Sequence, residues 1–257
     1  MNATLLAFDT ATEHLSIALA ARGQVHTVEA VGGAQASATL IPAILALLAQ
    51  AGVALHELDA IAFGRGPGAF TGLRTACSVA QGLAFGAGKP VLPIDTLLAL
   101  AEDARAGQPG QPDEPDEPGE PGEPGELRVW AAMDARMNEV YAAQYHHAAG
   151  RWSVLDAPML TRPAALNARW RLQPPQCVAG SALAAFRAQL ETGNARCVPT
   201  ALPRATAMLP LAQALWAQGG AVDAALALPL YLRDKIAQTT LERDAVRAAK
   251  DAAERVR

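Results

Sequence analysis

The chain opens twice in the same way. Thr4 to Phe8 is an apolar run that ends at Asp9, and Arg128 to Met133 is an apolar run that ends at Asp134. Six residues after each aspartate an apolar residue, Leu15 or Val140, begins a second extended run, and the two openings lie 125 residues apart. Period-two and continuously apolar runs of this length bounded by turn residues predict strands. Each opening therefore predicts a strand pair followed by a third strand: Val25 to Val31 in the first case and Trp152 to Leu155 in the second. A chain with two such openings is built as two related α/β halves rather than as one continuous sheet.

The remaining elements follow from periodicity and from turn residues. Helices are expected over about Ser37 to Ala51, Thr71 to Phe85 and from Asp95 or Thr96, as cap, to Arg105, with strands Asp59 to Gly64 and Pro90 to Ile94 between them. In the second half, helices are expected over Pro163 to Trp170, Ser181 to Leu190 and Thr206 to Gln218, with short strands Cys177 to Ala179 and Arg196 to Val198. The halves are separated by a segment in which proline recurs at every third residue from Pro109 to Pro124. Proline denies hydrogen bonds to helix and sheet, and clustered acids repel, so an extended, disordered loop is expected there. The resulting domains are 1–106, the acidic loop 107–126, a second, smaller unit 127–205, a returning helix and strand 206–237, and a charged helical tail 238–257. Two related α/β halves in this order resemble the actin-like (ASKHA, RNase H-like) superfamily with duplicated ββαβα-type domains.

Charge and cysteine content narrow the function classes. The net charge is −4, and Gly107 to Glu126 holds seven acids and no base, which leaves +3 for the rest. Neither figure describes a chain that grips nucleic acid alone. Cys77, Cys177 and Cys197 are odd in number and lack metal-type spacing, as expected of reduced core thiols in the cytoplasm. The N-terminus has no secretory pattern, and the apolar centre of Val31 to Leu55 is too short for a membrane span, so a cytoplasmic location without a membrane is expected.

Two segments are candidates for chemistry. The first turn, Asp9-Thr10-Ala11-Thr12-Glu13, offers a carboxylate and two hydroxyls, Asp9, Thr10 and Thr12, to a nucleotide phosphate, or else these groups satisfy turn amides. The run Gly64 to Arg74 carries glycines before a helix N-terminus, which favours an anion, but it is neither a Walker A loop nor a GxGxxG fingerprint. A tight strand-to-helix turn is the simpler reading. No two histidines have helical spacing and no G-x-S-x-G elbow is present, so no catalytic or metal-binding residue is assigned.

The positive signal is apolar. Val31 to Leu55 contains no charge, and Thr71 to Gly88 contains only Arg74. A helix on one face of a sheet shows solvent a polar stripe. These two helices show almost none, so they are either buried or meet another chain. The partner-binding assignment falls on Leu40, Ile44 and Leu48 of the first helix and on Thr71, Gly72, Arg74, Ala76, Val79 and Ala80 of the second, with Ala76→Arg expected to block pairing.

The runs LLAFDTATEHLSIAL, AFGRGPGAFTGLRTACSVAQGLAFG, AAMDARMNEVYAAQY and PLYLRDKIA resemble the bacterial TsaB (YeaZ) family. The resemblance implies an actin-like fold and a non-catalytic role in making N6-threonylcarbamoyladenosine at position 37 of tRNAs that read ANN codons. It implies a scaffold that binds and activates the TsaD catalytic subunit through the first two helices, with a TsaE-like ATPase joining the pair. It further implies contact with tRNA only through the complex, and self-association through the same surface when TsaD is absent. No cofactor is expected, except ATP or ADP at the complex interface. TsaD binds its metal through His-x-x-x-His, and the matching positions in this chain are Thr96 and Leu100. Two other readings compete: an actin-like ATPase or small-molecule kinase using Asp9 and Asp134, and a metal-dependent peptidase, which requires the missing histidine pair. The histidine expected before the first helix is also absent from Gly32 to Ser37.

Overall fold

The computed structural model describes residues 3–107 and 126–233. The proline-rich run and the charged tail thus lie outside the described residues, apart from Gly107 and Glu126. The first half runs β1 (Leu5–Asp9), β2 (His14–Ala21), β3 (Gln24–Val31), α1 (Ala36–Ala51), β4 (Ala60–Gly66), α2 (Phe70–Ala87), β5 (Val91–Asp95) and α3 (Thr96–Ala106). The second runs β6 (Leu127–Asp134), β7 (Val140–Ala148), β8 (Arg151–Thr161), α4 (Pro163–Leu172), β9 (Cys177–Ala179), α5 (Ala182–Ala185), β10 (Arg196–Val198) and α6 (Ala205–Ala217).

Both halves form a five-stranded mixed sheet with the same connectivity. The first has the order β3-β2-β1-β4-β5 and the second β8-β7-β6-β9-β10. β1 is antiparallel to β2 and parallel to β4, and β6 is likewise antiparallel to β7 and parallel to β9. The two aspartates of the doubled opening therefore occupy corresponding ends of corresponding central strands. This is the duplicated, actin-like arrangement expected from the sequence.

Each central strand is covered on both faces, which is why it reads as an unbroken apolar run. Leu6 and Phe8 of β1 point into a core with Leu40, Ile44 and Leu48 of α1 and Ala76 and Ala80 of α2. Leu5 and Ala7 point the other way, onto Ala205, Met208, Leu209 and Ala212 of α6. In β6, Val129, Ala131 and Met133 pack with Leu97, Leu100, Ala101 and Ala104 of α3, whereas Trp130 and Ala132 meet Leu166 and Trp170. Alanines at these contacts let helices sit close to the sheets, so few aromatics are needed. α3 also gives Ala99 to the α6 core and so joins the two sheets. The first amide of α6 is capped across the fold by Ser16 Oγ of β2, at 2.7 Å. Among the described residues no helix is long and apolar enough to cross a membrane.

Three local expectations differ from the structure. The helix expected over Ser181 to Leu190 stops at Ala185. Asn167 of α4 takes the backbone that would extend it, donating to Gln189 O at 2.7 Å and accepting from Glu191 N at 3.0 Å. The strand expected to end at Leu155 continues to Thr161 through Pro158. β8 is an edge strand, so one side of its backbone has no neighbour to miss the proline N–H. Neither Asp95 nor Thr96 caps its own helix, because both side chains turn to other strands.

Candidate functional site

The two segments singled out for chemistry form one packed unit. Asp9, 1% exposed, accepts from Ala11 N at 2.7 Å through one carboxylate oxygen and from Thr96 Oγ1 at 2.9 Å through the other. Thr96 Oγ1 in turn accepts from Gly66 N at 3.1 Å. Thr10, fully buried, donates to Gly72 O at 2.8 Å, and Ala69 N donates to Ala11 O at 2.8 Å. Arg65 pairs with Asp95 beside this chain of bonds. The glycines of the turn exist for closeness. A Cβ on Gly64 would lie 1.8 Å from Asp9 Oδ2, and one on Gly72 would lie 1.9 Å from Thr10 O.

This geometry corrects the phosphate assignment. Asp9 and Thr10 are closed off and spend their polar atoms on the protein's own turn, and Thr12 Oγ1 accepts from His14 N at 3.1 Å. For Asp9 and Thr10 these are the turn-satisfying roles that were the alternative, whereas Thr12 is half-buried and also lines the cleft between the halves. Burial outweighs the two hydrogen bonds and raises the Asp9 carboxyl from 3.8 to about 6. Thr96 holds Asp9 by this bond, and Leu100 is a core residue of the second half.

A cleft of about 540 Å³ lies between the halves, above the two hairpins. Its walls are mainly apolar, among them Leu73, Leu100, Met133, Tyr141 and Leu202. The polar groups at its mouth pair with each other. Arg136 bridges Glu13 of the first hairpin and Asp134 of the second, at 3.3 Å to each. Asp134 Oδ1 also accepts from Arg136 N at 2.8 Å. Glu13, Asp134, Arg136 and Arg233 all line the cleft, and both arginines are already paired with carboxylates, Arg233 with Glu139, so the cleft does not favour the kinase reading. Among the described residues no three His, Cys, Asp or Glu side chains come together as metal ligands would.

The third candidate is the apolar helix pair. Here the structure corrects individual residues. Leu40, Ile44 and Leu48 of α1, and Gly72, Ala76, Val79 and Ala80 of α2, turn inward, and Ala76 and Ala80 are fully buried against the first sheet. They are core, so a partner cannot reach them. Thr71 and Arg74 do face out. The exposed stripe of α1 holds Ala38, Ile41, Pro42, Leu45 and Ala49, and that of α2 holds Thr71, Arg74, Ser78, Gly82 and Phe85. α1 is apolar all round, so periodicity could not tell which of its stripes faces the sheet, whereas in α2 the row Thr71, Arg74 and Ser78 marks the outer face. The i,i+4 pair Ile41/Leu45 was the available hint. The sequence reading also missed Thr96 as the partner of Asp9, because 87 residues separate them.

A family model described as "TsaD: tRNA N6-adenosine threonylcarbamoyltransferase" matches residues 26–241. A tRNA threonylcarbamoyladenosine biosynthesis protein TsaB from Haemophilus influenzae is 36% identical over 91% of this chain and 95% of its own length. The Escherichia coli protein of the same name is 33% identical over 91% of this chain and 96% of its own. The solved structure of YeaZ from Pseudomonas aeruginosa is 37% identical, with a TM-score of 0.77 over 90% of this chain and all of that one.

Proposed function

Because the chain belongs to the TsaB (YeaZ) family of tRNA threonylcarbamoyladenosine biosynthesis proteins, we propose that it is the non-catalytic subunit that binds and activates a TsaD-type transferase. The observation that carries this reading is the outward stripe of α1 and α2. It is long, carries Ile41, Leu45 and Phe85 in the open, and has Arg74 as its one charge. Apolar surface of this extent on a folded chain is what a partner covers.

The catalytic step belongs to the partner. The two positions that match the transferase's metal ligands are Thr96 and Leu100, one bonded to Asp9 and one packed in the core. Asp9 and Thr10 of the first hairpin spend their polar atoms inside the fold, which supports a hairpin serving as scaffold rather than as phosphate loop. Contact with tRNA and with a TsaE-like ATPase then occurs within the complex. The free chain covers the same stripe by self-association, and any ATP or ADP sits at the interface with the partner.

The test is co-purification of the chain with its TsaD-type partner, followed by tRNA modification with each component omitted in turn. Wild type is expected to pair and to be required, with no transfer by itself. Ile41→Asp combined with Leu45→Asp places two charges on the exposed stripe. It is expected to abolish pairing while leaving the melting temperature within a few degrees of wild type. Transfer by the chain alone, or modification that proceeds without it, would refute the proposal.

A further inference from the structure

The helical layer on the outer side of the first sheet has a third member. After α6 the chain returns along β5, with Val91 and Val222 exchanging both backbone hydrogen bonds at 2.9 Å. Asp223 caps a 3-10 turn, Ala224–Leu226, by accepting from Ala225 N at 2.8 Å. Gln81 of α2 donates to Ala225 O at 3.3 Å, and Leu230 N donates to Arg65 O at 2.7 Å. Ala224 and Ala227 are buried under α2, and this anchors the segment beside that helix.

Leu230 and Tyr231 of the same segment reach the rim of the cleft between the halves, and its remaining large side chains open to solvent. Leu226, Leu228 and Tyr231 are 57%, 60% and 42% exposed, next to Phe85 at 63%. With Ile41 and Leu45 of α1 these make six of the twelve large apolar side chains exposed among the described residues, and they lie on α1, α2 and the returning segment. Exposed apolar side chains gathered on neighbouring elements are what a partner covers.

Arg74 stands within this surface. Its guanidinium carbon lies 3.8 Å from the centre of the Phe70 ring, and its Nε donates to Tyr231 Oη at 3.1 Å. Phe70 and Tyr231 pack with ring centres 5.4 Å apart. The side chain is thus held by a residue of α2 and a residue of the returning segment, with its two terminal nitrogens left to meet whatever lies above. No carboxylate pairs with it among the described residues. No other charge lies on α1, on α2 or between Ala224 and Leu232. Covering a guanidinium with apolar surface and no counter-charge is strongly unfavourable.

We propose that residues 224–231 form a third strip of the partner surface, and that the partner brings to it an apolar face with one carboxylate that pairs with Arg74. The inference rests on the subunit reading above and adds to it both an element and a required charge on the other side. Tyr231 is a positioning residue that sets the guanidinium before the partner arrives, and a planar guanidinium suits a two-point contact with a carboxylate.

The test is the dissociation constant of the full-length chain for its TsaD-type partner, with melting curves as a control for folding. Arg74→Glu is expected to weaken pairing by about 100-fold or more, and a Glu→Arg or Asp→Arg change at one interfacial carboxylate of the partner is expected to restore it. Leu228→Asp, at an exposed position, is expected to weaken pairing by about tenfold or more. If both variants bind as wild type while the Ile41→Asp, Leu45→Asp variant does not, the third strip and its charge are refuted and the subunit reading stands. If all three bind as wild type, the subunit reading itself falls.

Discussion

The buried carboxylate of Asp9 makes stability depend on pH in an unusual direction. Its pKa is 3.8 when exposed and about 6 in the fold, because burial penalises the anion more than Ala11 N and Thr96 Oγ1 compensate. Between these values the folded chain holds a proton that the unfolded chain has lost. The Asp9 contribution is therefore fully present below about pH 3.8 and is lost as pH rises through 6. At about 1.4 kcal/mol per pKa unit the whole effect is about 3 kcal/mol, of which about 2 kcal/mol falls between pH 4.5 and 7.5. Asp9→Asn removes the titration at nearly constant volume. The new Oδ1 still accepts from Ala11 N, whereas the amide must donate to Thr96 Oγ1. The Thr96 hydroxyl then loses its acceptor, which costs about 1–3 kcal/mol at every pH. That cost is independent of pH and leaves the slope untouched. Urea unfolding of both proteins at pH 4.5, 6.0 and 7.5 isolates it, since all other titrating groups cancel in the difference. The variant is expected to gain about 2 kcal/mol relative to wild type across that range. A difference that stays constant within about 0.5 kcal/mol would refute the argument and show that Asp9 is not desolvated in solution.

Two further expectations concern packing around the same unit. Ala76→Arg places a cation in a fully buried site between α2 and the first sheet, so it is expected to unfold the chain or cost more than about 4 kcal/mol, seen as lost cooperative melting. A folded variant with only a pairing defect would restore Ala76 to the partner face. Gly72→Ala drives a methyl into Thr10 O and is expected to cost at least about 2 kcal/mol in urea unfolding, despite a helix-propensity gain of about 1 kcal/mol.

Most elements were legible because they are strongly periodic and punctuated by turn residues. β1 and β6 read as strands because both faces are covered, and α1 and α2 read as helices because the apolar run between glycines is too long for a strand. The short α5 did not read correctly, because the bonds that end its helix come from Asn167, on a different element.

By itself the sequence determined the doubled α/β plan and the scarcity of charge on α1 and α2, where Arg74 is the one charged residue, since both are properties of local pattern and composition. The tertiary structure decided which stripe of α1 faces the sheet, because a helix apolar all round has no local feature that sets its rotation. It likewise decided that Asp9 and Thr10 serve the turn, and that Arg74 meets Tyr231 across 157 residues of chain. Contacts between groups so far apart in sequence depend on how sheets and helices stack, and no window of neighbouring residues contains them.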